Sequence, residues 1–212
     1  MRKNAAGCPI ITLRRLPRYL AFAEAMSGQE WEYVTSADIA RACDVGELLV
    51  RKDLSYVDIS GRPHCGYPIS QFIKALKDVI GWNTLRPLAL IAGENMSKTL
   101  ISGFPFARYG VKVAVIVNAE LASKGPSFNG IPVVTAPEFA ERQKTDPVRL
   151  ALLAVPVEIA QHAADDLISW GVKALWNFTA IRLAADPGAK IVDAELGADL
   201  AELANSLMEA GY

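Results

Sequence analysis

The sequence predicts an α/β chain: a helical domain of winged helix-turn-helix type over 1–83, a Rossmann-like parallel-sheet domain over 84–194, and an apolar-striped tail over 195–212. Three observations carry this prediction. Up to about residue 82 the apolar residues recur at helical spacing. From residue 88 they gather into short continuous runs, each ended by a turn residue, as strands buried on both faces of a parallel sheet do. Between the two textures, Gly81-Trp82-Asn83 and Pro87 mark a boundary.

Composition sets the limits. Of 212 residues 51% are apolar and 21% charged, enough to bury a core. With 22 Lys/Arg against 23 Asp/Glu, the net charge of −1 argues against wholesale coating of nucleic acid or a polybasic membrane anchor. No apolar run approaches the roughly 20 residues that span a bilayer. The opening MRKNAAGCPI lacks the apolar centre of a signal peptide, so no membrane partner is expected. Cys8, Cys43 and Cys65 form no C-x-x-C pair and leave an odd thiol, which suits a reducing cytoplasm and no metal. Charge is uneven, however. Residues 1–80 hold 11 Lys/Arg against 9 Asp/Glu, and the first 20 carry Arg2, Lys3, Arg14, Arg15 and Arg18 with no acid. Such a segment is either a nucleic-acid arm or a solvated terminus.

In the N-terminal domain, Leu16, Leu20 and Phe22 mark a first helix. A short helix over Ala37 to Cys43 follows, capped by Thr35 or Ser36, with Ile39, Ala40 and Cys43 inward. Asp44-Val45-Gly46 turns the chain into a helix from Glu47 to about Val57, the size and order of a helix-turn-helix. Val50, Leu54 and Val57 face inward, while Arg51, Lys52, Ser55 and Tyr56 share another face. Cations and hydroxyls presented together suit phosphates and guanine edges in a major groove. GRPHCGY (61–67), rich in turn residues, reads as a wing with Arg62 and His64 at its tip. Phe72, Leu76, Val79 and Ile80 mark a fourth helix with Ser70 as cap. The same pattern also fits an ordinary helical hairpin with a solvated charged face.

In the second domain the runs are LALIAG (88–93), VKVAVIV (111–117), IPVV (131–134), LALLAV (150–155), VKALWNF (172–178) and AKIV (189–192), with helical pattern over 95–109 and 157–169. The turn after the first run is where a dinucleotide fold carries G-x-G-x-x-G, whose glycines allow a tight turn and close backbone approach to a diphosphate. The three positions read Ala92, Glu94 and Ser97. At the second, a side chain intrudes on the diphosphate and a carboxylate repels it. The second run ends at Asn118, where a ribose-binding acid would sit; Asn bonds a hydroxyl without charge assistance. The two histidines, His64 and His162, offer no nucleophilic constellation, and no H-E-x-x-H, G-x-S-x-G or G-x-x-x-x-G-K-[ST] occurs, so no enzyme is expected.

Taken together, LRRLPRYL (13–20), VRKDLSY (50–56), GRPHCGY (61–67), NGIPV (129–133), AVP (154–156) and VKALWNFTAIRL (172–183) resemble segments of the Rex family of redox-sensing repressors, from about Ile10 to Leu203. The resemblance implies a homodimer whose C-terminal helix swaps between subunits. The stripe Leu196, Leu200, Leu203, Leu207 fits a swapped helix or a plain core helix. It implies that Arg14, Arg15, Arg18, Ser36, Arg51, Lys52, Ser55, Tyr56, Arg62 and His64 hold a double-stranded, palindromic operator as two half-sites. It further implies NAD(H) as cofactor, held around Ala92, Gly93, Glu94, Asn95, Met96, Ser97, Asn118, Val155, Pro156, Asn177 and Thr179. Glu195 stands where the family's switch usually has aspartate. The family binds its operator without NADH and releases it when NADH closes the dimer.

The departures cluster: Pro63 and His64 alter the wing, the glycine loop keeps only Asn95 and an apolar residue, and Asn118 and Glu195 replace acids. VRKDLSY is intact. The expectation is therefore a Rex-like DNA-binding protein with a weak, altered or absent NADH response. Three alternatives stay open: a rearranged loop that still takes NAD(H), another effector, or an enzyme or CoA-binding subunit whose helical domain binds protein.

Overall fold

The computed structural model describes residues 7–29, 31–118, 127–184 and 187–209; Arg2 and Lys3 of the cationic arm lie outside them. The chain divides into two units, 1–84 and 85–212.

In the first, α1 (Ile10–Ser27), α2 (Ser36–Cys43), α3 (Glu47–Leu54) and α4 (Ile69–Ile80) surround one core. Leu16, Tyr19, Leu20, Ile39, Val50, Phe72 and Leu76 are buried in it. The helices begin and end for local reasons. The Thr35 hydroxyl, rather than Ser36, caps α2: it accepts from the Asp38 N–H at 3.1 Å while the Asp38 carboxylate accepts from the Thr35 N–H at 3.0 Å. Asp44 leaves α2 in the left-handed region at φ 53°. α3 stops at Leu54, earlier than the spacing predicts, because the Tyr56 and Val57 N–H groups bond three residues back in a tightened last turn. α4 has no side-chain cap, contrary to the expectation for Ser70; it starts directly after Pro68, whose φ of −58° is preset by the ring. Between α3 and α4 the chain forms the wing. β1 (Tyr33–Val34) pairs antiparallel with β2 (Tyr67–Pro68), and Arg62 bridges Gly66.

In the second unit each apolar run becomes a strand: β3 (Arg86–Ala92), β4 (Val111–Val117), β5 (Val133–Val134), β6 (Leu150–Ala154), β7 (Ala174–Asn177) and β8 (Lys190–Asp193). All are parallel, in the order β5-β4-β3-β6-β7-β8. The helices are α5 (Glu94–Gly103), α6 (Ala136–Arg142), α7 (Val157–Ser169) and α8 (Leu196–Glu209). The helical pattern over 95–109 breaks at Gly103-Phe104-Pro105, and only a 3-10 turn, Phe106–Tyr109, follows. Along β3 the side chains alternate: Ala89 and Ile91 pack with Ala160, Ala164 and Leu167 of α7, whereas Leu88, Leu90 and Ala92 pack with Phe106 and Leu152. The consequential feature is the order. The chain winds outward one way from β3 and the other way from β6, so a crevice opens between their carboxyl ends. Among the described residues no helix is long and apolar enough to cross a membrane, and no group of His, Cys, Asp or Glu could hold a metal.

Two glycines separate backbone strain from steric clash. Gly66 has φ +98°, and a Cβ there would stand 2.4 Å from the Val34 carbonyl oxygen; Gly130 has φ +75° with open space around it. Gly130→Ala is expected to cost about 1 kcal/mol and Gly66→Ala at least about twice that. Denaturant unfolding measures both, and equal costs would show that the wing backbone has room to shift.

Candidate nucleic-acid interface and nucleotide cleft

The helix-turn-helix is fixed by one buried carboxylate. Asp53, on the inner face of α3, is 1% exposed. It accepts from the Thr12 hydroxyl at 2.9 Å, from the Tyr19 hydroxyl at 2.8 Å, and from Arg15 through Nε and a terminal nitrogen, both at 2.6 Å. Burial by itself would raise the Asp53 pKa. The hydrogen bonds from Arg15, Tyr19 and Thr12 outweigh it and hold the carboxyl below its ordinary range. Burial, and then the bond to Asp53, pushes the Tyr19 hydroxyl up to about 12, so it remains a donor. The Arg15 guanidinium is therefore engaged within the protein, where Asp53 takes two of its nitrogens.

Other expected contacts divide in the same way. Arg14, Arg18, Arg51, Lys52 and Ser55 are exposed, and the Arg18 guanidinium also donates to the Cys43 carbonyl at 2.9 Å. Arg51 pairs with Glu47 at 2.6 Å on the solvent face, an exposed pair of little strength. The Ser55 hydroxyl donates to the Lys52 carbonyl at 2.7 Å. Ser36, which the resemblance set among the DNA contacts, is buried at the start of α2, and Tyr56, which the spacing set on the outer face, is half-buried against the core. Leu48, by contrast, is 82% exposed on α3. The periodicity gave no sign of it, because an apolar residue reads as core. In the wing Arg62, Pro63, His64 and Cys65 are exposed, and His64 has φ +62°. The Arg62 guanidinium lies 5.4 Å from the centre of the Tyr33 ring and donates to the Tyr33 hydroxyl. Burial pushes the Cys8 and Cys43 thiols up, which leaves them unreactive.

The crevice between β3 and β6 is a cleft of about 820 Å³. Gly93, Glu94, Asn95, Met96, Val155, Pro156 and Thr179 line it as expected; Phe178 and Thr99 line it too and went unforeseen. Four expected residues do not face it. Ala92 lies in the sheet core, and Asn118 is 4% exposed at the end of β4. Asn177 is consumed by the loop it organises: its amide donates to the Ile181 carbonyl and to Asp193, both at 2.8 Å, and its oxygen accepts from Thr179. Ser97 is buried and, among the described residues, its hydroxyl has no hydrogen-bond partner. Glu195 is exposed, its carbonyl accepting from the first turn of α8. His162 is exposed on α7, 3.6 Å from Asp166, and does not line this cleft.

At the cleft floor α5 begins with Gly93 in the cap position and Glu94 as its first residue. The Glu94 carboxylate bonds Lys98 at 2.6 Å, which holds its pKa below the ordinary range. A dinucleotide diphosphate would approach this helix end over residue 94. With a Cβ and a carboxylate there, the loop does not fit that group.

Residues 8–55 match the family described as "Putative DNA-binding protein N-terminus", and residues 92–181 match the CoA binding domain family. The redox-sensing transcriptional repressor Rex of Bacteroides fragilis is 30% identical over 205 residues, 97% of this chain and 93% of the relative. That of Porphyromonas gingivalis is 33% identical over 199 residues, covering 94% and 91%. Among solved structures, the Rex-family repressor RSP superposes with a TM-score of 0.86 at 21% identity, covering 96% of each chain. RSP in complex with β-NAD+ and operator DNA gives 0.86, covering 96% and 94%.

The Asp53 carboxyl has a folded-state pKa below its unfolded one, so its contribution is complete above the ordinary carboxylate range. It is lost as pH falls through the depressed folded value. Asp53→Asn is therefore expected to destabilise the protein by about 3 kcal/mol near neutrality, the gap narrowing below about pH 4. Unfolding of both proteins across pH tests this; a gap independent of pH would mean that the charge contributes nothing.

Proposed function

The chain belongs to the Rex family of redox-sensing transcriptional repressors, and from that premise we propose that it is a cytoplasmic, homodimeric, non-catalytic repressor that reads a palindromic operator with α3. The observation that carries this reading is the clamp on Asp53, which fixes the inner face of α3 while Leu48, Arg51 and Lys52 stay exposed on its opposite face. Arg51 and Lys52 suit guanine edges or phosphates, and Leu48 suits a thymine methyl. Arg14 and Arg18 on α1 would take flanking phosphates, with Arg62 and His64 of the wing reaching the adjacent groove. Arg15, Ser36 and Tyr56 are left out of this set. That RSP, which shares this fold, was solved in complex with operator DNA supports DNA as the partner. That none of the three cysteines is in a disulfide suits the cytoplasm. For the dimer the support is α8: it has no buried residue, and Leu196, Leu200, Leu203 and Leu207 all lie open.

Fluorescence anisotropy with a palindromic Rex-type operator at stated salt tests the reader. Arg51→Ala is expected to weaken binding at least about tenfold. Leu48→Ala should erode the preference for operator over random duplex and leave random-duplex binding unchanged. Arg15→Lys, which keeps charge but loses the fork, should act through stability instead. Operator affinity indifferent to Arg51 and Lys52 would remove the reading.

Sedimentation tests the dimer. Leu200→Asp or Leu203→Asp is expected to convert it to a folded monomer with weaker operator binding, since two half-sites are no longer linked. An unchanged sedimentation coefficient would place the dimer contact elsewhere.

A further inference from the structure

We propose that Glu94 is an internal anion that holds the place of a dinucleotide's diphosphate at the α5 N-terminus and so discriminates against NAD(H). The resemblance puts that cofactor in the crevice between β3 and β6, and of this chain's departures from the family loop only Glu94 lines that cleft. Three features of the geometry meet there.

First, Gly93 supplies no side-chain cap, so the positive end of α5 is left to whatever anion stands before it. Glu94, in the first turn, is such an anion, and a carboxylate at this end of a helix is favourable. Second, Lys98 lies one turn on, and its ammonium is bound to Glu94 at 2.6 Å. The cation that could have met a phosphate is already matched. Third, Glu94 lines the cleft beside Gly93 and Asn95, so its Cβ occupies space that a backbone hydrogen would leave open.

The other departures do not act this way. Ala92 and Ser97 are small and buried, and neither lines the cleft. Asn118 is buried at the end of β4. Each alters packing or a distant contact; Glu94 alone among the three loop positions places a like charge against the ligand. The cleft has a volume of about 820 Å³ and an apolar wall of Met96, Val155, Pro156 and Phe178, so the exclusion is directed at the diphosphate.

The inference rests on the family reading of the cleft and is independent of DNA binding, so its test contains no DNA. Full-length protein, Glu94→Gln and Glu94→Gly are titrated with NADH by calorimetry, with circular dichroism to confirm that each is folded. The native protein is expected to show no saturable uptake at micromolar NADH. Glu94→Gly should gain affinity by about a hundredfold, within the repulsion of two unit charges at contact in partly screened surroundings. Glu94→Gln, which removes charge and keeps bulk, should fall between them and so apportion electrostatic from steric exclusion. Saturable micromolar binding by the native protein would overturn the proposal. So would a folded Glu94→Gly that binds no better than the native protein.

Discussion

The outward face of α3 depends on one ionised carboxylate in a mostly apolar core. α3 has eight residues, and a helix that short has little stability of its own. Val50 and Leu54 give it an apolar seat, but apolar contact is non-directional and would allow the helix to roll. Asp53 supplies direction. Its oxygens meet donors from three positions on α1, Thr12, Arg15 and Tyr19, spaced along one face. A buried ion pair is often no more stabilising than the apolar residues that could replace it, so its value here lies in geometry. It fixes which side of α3 faces outward. Because Arg15 is consumed, the charge left for a partner is that of Arg14 and Arg18, on either side of it.

Much of the fold was legible in the sequence because burial on both faces leaves an unambiguous signal. β4 is the run Val111–Val117 without change, and α7 is the helical stretch 157–169. The other runs differ from their strands by at most two residues at either end. A short helix, α6, was legible in principle: Thr135 and Glu138 form a capping box, and Pro137 sits in the first turn. The reading of the site was poorer, for a different reason. Arg14, Arg15 and Arg18 are chemically alike, and their roles separate only through Asp53, thirty-eight residues away from Arg15. Leu48 and Ser36 fail by the converse route. Residue type predicts exposure only on average: Leu48 is apolar and exposed, Ser36 polar and buried.

The nucleotide cleft shows why a ligand loop can change while its fold persists. In a dinucleotide fold the three loop glycines serve, in order, the tight turn, the ligand's approach and the packing of helix on strand. Gly93 here has φ −66°, a conformation open to any residue, and α5 begins normally behind it. Nothing in the turn requires glycine at 92, 94 or 97. The crevice is opened by the order of β3 and β6, and of these changes only Ala92, small and buried at the end of β3, falls within those strands.

The cost of the changes falls instead on a single atom. A glycine at residue 97 would let α5 lie against the sheet with nothing between. Ser97 fits the space but buries a hydroxyl that, among the described residues, has no partner, a penalty of order 1 kcal/mol or more. Glu94 works in the opposite sense, since its charge complements the helix end and meets Lys98. The loop is thus internally satisfied where charge is concerned and slightly strained where packing is concerned. A loop still shaped by a diphosphate would show the reverse: an uncompensated positive helix end and unstrained glycine packing.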